Sequence, residues 1–244
     1  MTALAGRLAL VTGASRGIGA AAARALAEAG ARVVRVSRTL PGDPQGPYLD
    51  LRCDLTDQAE VDDLAARVTG AQGVPTVVVN NAGGFLLQPL ERTTPAQFDQ
   101  QIALNLRGSF LLARAFLPAM RQAGGGCFIS IGSVADHTAF PENAAYAASK
   151  YGLRGLHETL AEEYRSTGVR LTLISPGATD TSIWNPFDPE HRPGFPARTA
   201  MLRPEDVAEA ILFAATRPDH VHVDWIRLQP SGLIRSGAPP TRPR

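Results

Sequence analysis

The stretch that most limits what this chain can fold into runs from Leu8 to Gly30. Leu8-Ala-Leu-Val-Thr12 is a short apolar run and reads as a strand. Gly13-Ala-Ser15-Arg16-Gly17-Ile18-Gly19 follows as a turn, and the alanine-rich segment from about Ile18 to Ala29 reads as a helix closed by Gly30. Glycines let a backbone turn tightly and come close to a bound anion, while the free N–H groups that open a helix face it. An ordinary glycine-rich turn is the plainer reading. Its placement on a strand-to-helix junction favours a pyrophosphate site, with Gly13, Ser15, Arg16, Gly17, Ile18 and Gly19 as its contacts.

The rest of the chain repeats the alternation. Strands are expected at Arg32–Ser37, Tyr48–Cys53, Thr76–Asn80, Cys127–Ile131, Val169–Ile174 and Val221–Leu228. Helices are expected from Thr56 or Asp57 to Val68, from Thr94 to Met120, from Ala144 to about Ser166, and from Pro204 to Ala215. Strands alternating with helices indicate an α/β fold. The segment Pro41–Pro47 cannot be helical, so the crossover between the second and third strands looks shortened to a loop. Ser182–Leu202 is rich in Pro and Gly and carries Trp184, Phe187 and Phe195, which fits a lid over an apolar pocket. The Pro/Arg/Gly tail from Ser231 reads as loosely ordered, or ordered only by a partner subunit. No internal repeat or second domain boundary is visible, so 1–244 is read as a single dinucleotide-binding domain with a substrate loop at about 182–202.

Composition removes several function classes. Lys and Arg total 24 against 23 acids, a net charge of +1, which gives no electrostatic footprint for nucleic acid or a membrane surface. No apolar run approaches the roughly 20 residues of a membrane span, and the N-terminus lacks a signal-peptide pattern. A cytoplasmic location is expected. Cys53 and Cys127 sit in separate strand-like contexts and read as buried thiols. His220 and His222 are two apart near the last strand, but no third ligand accompanies them, so no metal site is read there.

The second informative stretch is Gly125–Lys150. An apolar strand ends near Ser133, and Asn143 opens a helix that carries Tyr146 and Lys150 four residues apart, on one face. A free phenol, with a pKa near ~10, is a poor base at neutral pH. A neighbouring ammonium stabilises the phenolate and is expected to lower that value. Ser133 could hold the reacting oxygen. A lone Tyr-x-x-x-Lys is more often a core aromatic beside a solvated charge, so the motif gains weight only from its surroundings.

Cofactor choice can be read after the second strand. An acid about 20 residues past the glycines would bind the ribose 2′-hydroxyl, but Ser37-Arg38-Thr39 occupies that place. Arg38, with Arg16, suits a 2′-phosphate, so NADP(H) is preferred over NAD(H). Asp54, at a strand end, could touch an adenine or simply cap a turn. Asn105, in the apolar middle of a helix, needs a buried partner, either structural or in a proton path.

Taken together, these residues resemble the short-chain dehydrogenase/reductase family. The shared motifs are Thr12-Gly13-x-x-x-Gly17-x-Gly19, Asn80-Asn81-Ala82-Gly83, Ser133 with Tyr146-x-x-x-Lys150, and Pro176-Gly177-x-x-x-Thr181. The resemblance implies a doubly wound Rossmann fold with a seven-stranded parallel sheet flanked by helices. It implies that Tyr146 is the general acid/base, that Lys150 lowers its pKa and binds the nicotinamide ribose, and that Ser133 orients the substrate oxygen. Asn105 would complete a water-linked relay through Lys150. Asp54 would meet the adenine, Asn81 would lie beside the cofactor and Thr179 and Thr181 near the carboxamide, with Leu55, Ala82, Gly83, Pro176 and Gly177 also among the cofactor-binding residues. A homodimer or homotetramer is implied.

The expected activity is NADP(H)-dependent interconversion of a carbonyl and an alcohol on a small, mostly apolar substrate. Phe85, Val134, Phe140, Trp184 and Phe195 would line the pocket. The competing readings are an NADP-binding regulator that no longer turns over, or another carbonyl-centred reaction, such as a 3-oxoacyl-type reduction, on the same fold.

Overall fold

A computed structural model describes residues 3–39, 48–192 and 195–231. Its strands are β1 (Leu8–Thr12), β2 (Arg32–Ser37), β3 (Tyr48–Arg52), β4 (Val77–Asn80), β5 (Gly126–Ile131), β6 (Val169–Pro176) and β7 (Trp225–Leu228). Helices α1 (Gly17–Glu28), α2 (Gln58–Gln72), α3 (Pro95–Ile102), α4 (Gly108–Gln122), α5 (Ala144–Glu163) and α6 (Pro204–Ala215) connect or follow them. All strand pairs are parallel, in the order β3-β2-β1-β4-β5-β6-β7. This is the doubly wound Rossmann arrangement. The chain reverses its direction of travel across the sheet between β1 and β4, which opens a crevice at their C-terminal ends.

The central strands β1, β4, β5 and β6 are buried along nearly their whole length because helices cover both faces. Successive side chains alternate between those faces. Ala9, Val11, Val33, Val77 and Val79 pack with Ala22 and Leu26 of α1 and Val207 and Ile211 of α6. Leu8, Leu10, Val34, Val36 and Val78 pack with Leu64 and Val68 of α2 and Leu112 and Phe116 of α4. Cys53 and Cys127 are buried free thiols, and burial pushes the first to about 12 and the second to about 11.

Several boundaries differ from expectation. The long helix expected over 94–120 is three pieces: α3, a π-helical turn at Ala103–Arg107, and α4. Thr94 does cap it, in a capping box with Gln97. Of the two expected caps of α2, Asp57 takes the place. The last strand begins at Trp225 rather than Val221, and His222 Nε2 lies 2.7 Å from the Leu171 carbonyl. Within 182–202, Ser182–Phe187 and Arg198–Ala200 form 3-10 turns and Thr179 bridges to Leu202. The Pro41–Pro47 crossover and the tail beyond Ser231 lie outside the described residues. No helix among the described residues is long and apolar enough to cross a membrane.

His157 of α5 is 4 % exposed, and burial lowers its pKa from 6.5 to about 4. The unfolded chain therefore binds a proton that the folded chain refuses between those values. Stability is fully present above about pH 6.5 and is lost as pH falls through 4. Urea unfolding should show an acid-side loss approaching about 3 kcal/mol from this residue, and His157→Gln should flatten that limb. An unchanged acid limb in the variant would contradict the assignment.

Candidate functional site

The crevice between β1 and β4 is tied together by one hydroxyl. Thr12, fully buried at the end of β1, donates to the Val79 carbonyl at 3.3 Å and accepts the N–H groups of Asn81 and Ala82 at 3.0 Å each. Asn81 Nδ2 donates back to the Thr12 carbonyl at 2.9 Å. Thr12 was expected only as part of the motif, not as the residue that joins the two turns. The glycine turn is packed against this junction. Gly17 has φ +55°, and a Cβ there would lie 3.0 Å from Thr181 Cγ2, so the loop after β6 closes directly onto the turn. A Cβ at Gly19 would lie 2.3 Å from the Gly13 carbonyl oxygen.

The opening of α1 has no side-chain cap and no acid in its first turn. Its N–H groups and the positive end of its dipole therefore face the crevice unneutralised. Ser15 and Ser37 hydroxyls lie 3.2 Å apart, linking the turn to the end of β2. Arg16 and Arg38 are both exposed, and among the described residues neither guanidinium is in an ion pair. Asp54 accepts Thr56 N–H at 2.9 Å and Thr56 Oγ1–H at 2.8 Å, so it holds the turn before α2. The Thr56 bond, with Arg38 and Arg52 nearby, keeps its carboxyl below the usual range. Leu55 is a core side chain beneath Gly108 of α4.

Ser133, Tyr146 and Lys150 converge at the C-terminal end of β5. Ser133 Oγ accepts Ala135 N–H at 3.1 Å, and its hydroxyl faces the Tyr146 phenol, favouring the ionised form. Lys150 is 5 % exposed, and its Nζ donates to the Ile131 carbonyl at 2.9 Å. That nitrogen lies 5.8 Å from the Tyr146 ring centre. Burial lowers Lys150 to about 8. The phenol moves opposite to the expectation from spacing. Burial pushes Tyr146 up to about 12, Ser133 opposes this, and the buried carboxylate of Asp136 adds to it.

The Asn105 side chain is fully engaged. Its Nδ2 donates to the Gly84 carbonyl at 3.0 Å, Gln101 Oε1 at 3.2 Å and Ser149 Oγ at 2.9 Å, and its Oδ1 accepts Gly84 N–H at 2.8 Å. It sits in the π-helical turn, a deformation often found at functional sites. A Cβ on Gly83 would lie 3.0 Å from Asn105 Oδ1 and 3.8 Å from Lys150 Nζ, so loop, amide and ammonium form one packed unit.

An aromatic group covers the phenol. Phe85 meets Tyr146 edge-on at 4.9 Å, and Trp184 and Phe187 each lie 5.2 Å from Phe85. Phe195 lies 5.9 Å from Trp184. Phe187, expected in the lid but not among the lining residues, reaches Phe85 from the 3-10 turn it shares with Trp184. Trp184 Nε1 donates to the Thr179 carbonyl at 3.0 Å, anchoring the segment to the loop after β6. Gly177 N–H donates to the Leu228 carbonyl at 2.8 Å, fixing the Pro176-Gly177 corner. Val134 begins the turn after Ser133, and the half-buried Phe140 makes none of these ring contacts.

The short chain dehydrogenase family pattern matches residues 7–192 of the chain. The chain belongs to the short-chain dehydrogenase/reductase family. An uncharacterized oxidoreductase of Staphylococcus aureus is 33% identical over 237 residues, covering 94% of this chain and 100% of its own. A metagenomic short-chain oxidoreductase solved with NADP is 36% identical, with a TM-score of 0.79 over 94% of this chain and 99% of that one. The 3-ketoacyl-(acyl-carrier-protein) reductase of Brucella melitensis, solved with NADH, is 27% identical, with a TM-score of 0.83 over 93% and 98%. This short-chain dehydrogenase/reductase is therefore an oxidoreductase of a family that uses nicotinamide cofactors. Its crevice fits such a group, because a Cβ is excluded along the glycine turn and the α1 N–H groups are uncapped. Gly19→Ala should push the turn outward and weaken binding of a nicotinamide dinucleotide by about tenfold or more. Calorimetric titration would show it, and wild-type affinity in the variant would contradict the placement.

Proposed function

We propose that this short-chain dehydrogenase/reductase interconverts a carbonyl and an alcohol on a small, mostly apolar substrate, with NADP(H) preferred over NAD(H). The observation that carries the proposal is the convergence of Ser133, Tyr146 and Lys150 beside the crevice. When bound, the nicotinamide supplies or receives the hydride. Tyr146 exchanges the proton on the substrate oxygen, and Ser133 holds that oxygen by its hydroxyl. The phenol is protonated at neutral pH, which suits proton donation in carbonyl reduction. The Lys150 ammonium stabilises negative charge at the phenol oxygen and is available for the ribose hydroxyls. Asn105 holds Gly84 and Ser149, and through them the loop that packs on Lys150. This supports a positioning part for its amide.

Phe85, Trp184, Phe187 and Phe195 give the substrate side an aromatic wall and exclude water from the phenol. Asn81, Ala82, Gly83, Thr179 and Thr181 line the approach to the cofactor. The preference for NADP(H) rests on the exposed guanidiniums of Arg16 and Arg38 and on Ser37-Arg38-Thr39, which carries no acid, at the end of β2. A homo-oligomer is supported by the exposed Phe98, Phe110 and Tyr151 on α3, α4 and α5.

Tyr146→Phe should lower kcat for a good carbonyl substrate by ~10²–10⁴, followed by NADPH absorbance, with cofactor affinity nearly unchanged. Turnover close to wild type would remove the acid–base role. Arg38→Asp should weaken NADPH by about tenfold or more, as expected for loss of a charge-assisted phosphate contact, and leave NADH nearly unaffected. Equal losses for both would remove Arg38 from the phosphate site.

A further inference from the structure

Behind Ser133 lies a buried polar cluster that the proposed reaction does not use. Asp136, the last residue of the 3-10 turn Val134–Asp136, is 0 % exposed. Its Oδ2 accepts the Ser133 N–H at 3.0 Å and the Ser175 hydroxyl at 2.6 Å, and its Oδ1 lies 2.6 Å from His137 Nδ1. The Ser175 hydroxyl in turn accepts Trp225 Nε1–H at 2.8 Å. A buried carboxylate persists only where donors converge on it, and here they come from the turn itself, β6 and, through Ser175, β7. Room for it comes from Gly132. A Cβ at that position would lie 2.3 Å from Asp136 Oδ2, so the glycine and the carboxylate belong to one arrangement.

The groups facing Asp136 come from each neighbouring element. From α5 these are Tyr146 and Lys150, on both of which its charge acts. From its own turn it is His137. From β6 it is the uncharged Ser175. From β7 it is Trp225, whose ring stands beside His137 at 5.3 Å and carries Arg154 at 4.4 Å and Arg227 at 5.0 Å.

We propose that Asp136 is a positioning residue for the Ser133–Tyr146–Lys150 site: its carboxylate fastens the Ser133 turn to β6 and β7 and presents a fixed negative charge to the tyrosine–lysine pair. The inference rests on the acid–base reading of Tyr146. A carboxylate there opposes ionisation of the phenol, adding to the larger effect of burial. It also favours the ammonium of Lys150 against the pull of burial. A purely structural cap needs only an acceptor, and Asp136→Asn keeps one while removing the charge.

The test is an ultraviolet titration of tyrosinate in the wild type and in Asp136→Asn, each paired with its Tyr146→Phe counterpart to isolate Tyr146 among the four tyrosines. The charge-free variant should ionise Tyr146 at lower pH, by about one unit. The alkaline fall in kcat for carbonyl reduction should move the same way, with kcat down about tenfold, less than loss of an acid–base group itself, and KM little changed. An unmoved Tyr146 ionisation overturns the inference whatever happens to turnover. Activity lost in Tyr146→Phe with no such movement would leave the acid–base reading intact and discard Asp136. A shifted ionisation in a protein with no turnover would do the reverse. If Asp136→Asn does not fold, Ser175→Ala withdraws one donor and leaves the charge. It should lower kcat several-fold at constant KM, with recovery in Ser175→Thr, and wild-type kcat in Ser175→Ala overturns the proposal.

Discussion

A single buried ammonium organises the site. Lys150 is the only lysine among the 244 residues. A charge taken out of water is costly unless something holds it. Here the Ile131 carbonyl, at the C-terminal end of β5, accepts from Nζ at 2.9 Å. For that bond to form, α5 must lie across the strand end at a fixed height. Asn105, bonded to Ser149 of α5 and to Gly84, and Gly83, packed against both Asn105 Oδ1 and the ammonium, set that height. The π-helical turn that aims Asn105 is part of the same construction.

Two opposing electrostatic tendencies meet around this amine. Burial disfavours its charge and disfavours ionisation of Tyr146, so the pair drifts toward neutrality. Asp136 resists that drift at the lysine and reinforces it at the tyrosine. The ring of Phe85 against the phenol, backed by Trp184 and Phe187, displaces part of the solvent there and strengthens both effects. On the other side of the sheet reversal, the uncapped start of α1 and the Thr12 hydroxyl shape a crevice suited to an anionic dinucleotide. The two halves meet where Thr181 packs on Gly17.

Much of this was legible in the sequence, for identifiable reasons. Glycine spacing, the Asn-Asn-Ala-Gly turn and Tyr-x-x-x-Lys are local signals whose geometry follows from helix and strand periods. The paired apolar faces of β1, β2 and β4 follow from runs that only a doubly covered sheet tolerates. What stayed hidden depended on tertiary burial. Spacing puts Lys150 one turn from Tyr146 but says nothing of the Ile131 carbonyl, which holds Nζ, or of the desolvation that raises the phenol. Asp136 sits between two motifs and carries no period of its own. Its role depends on Ser175 and Trp225, which are 39 and 89 residues later in the chain. The π-helical turn left no mark either, because Ile-Ala-Leu-Asn-Leu reads as ordinary helix.

The most direct check on this account is the titration of Lys150 itself. With a single lysine in the chain, nitrogen-15 lysine labelling yields one side-chain signal, free of assignment ambiguity. The account predicts a midpoint near 8 for the cofactor-free protein, well below the ordinary value of 10.5. A midpoint close to 10.5 would mean that the ammonium is solvated rather than held beneath the strand end, and the site described here would not exist.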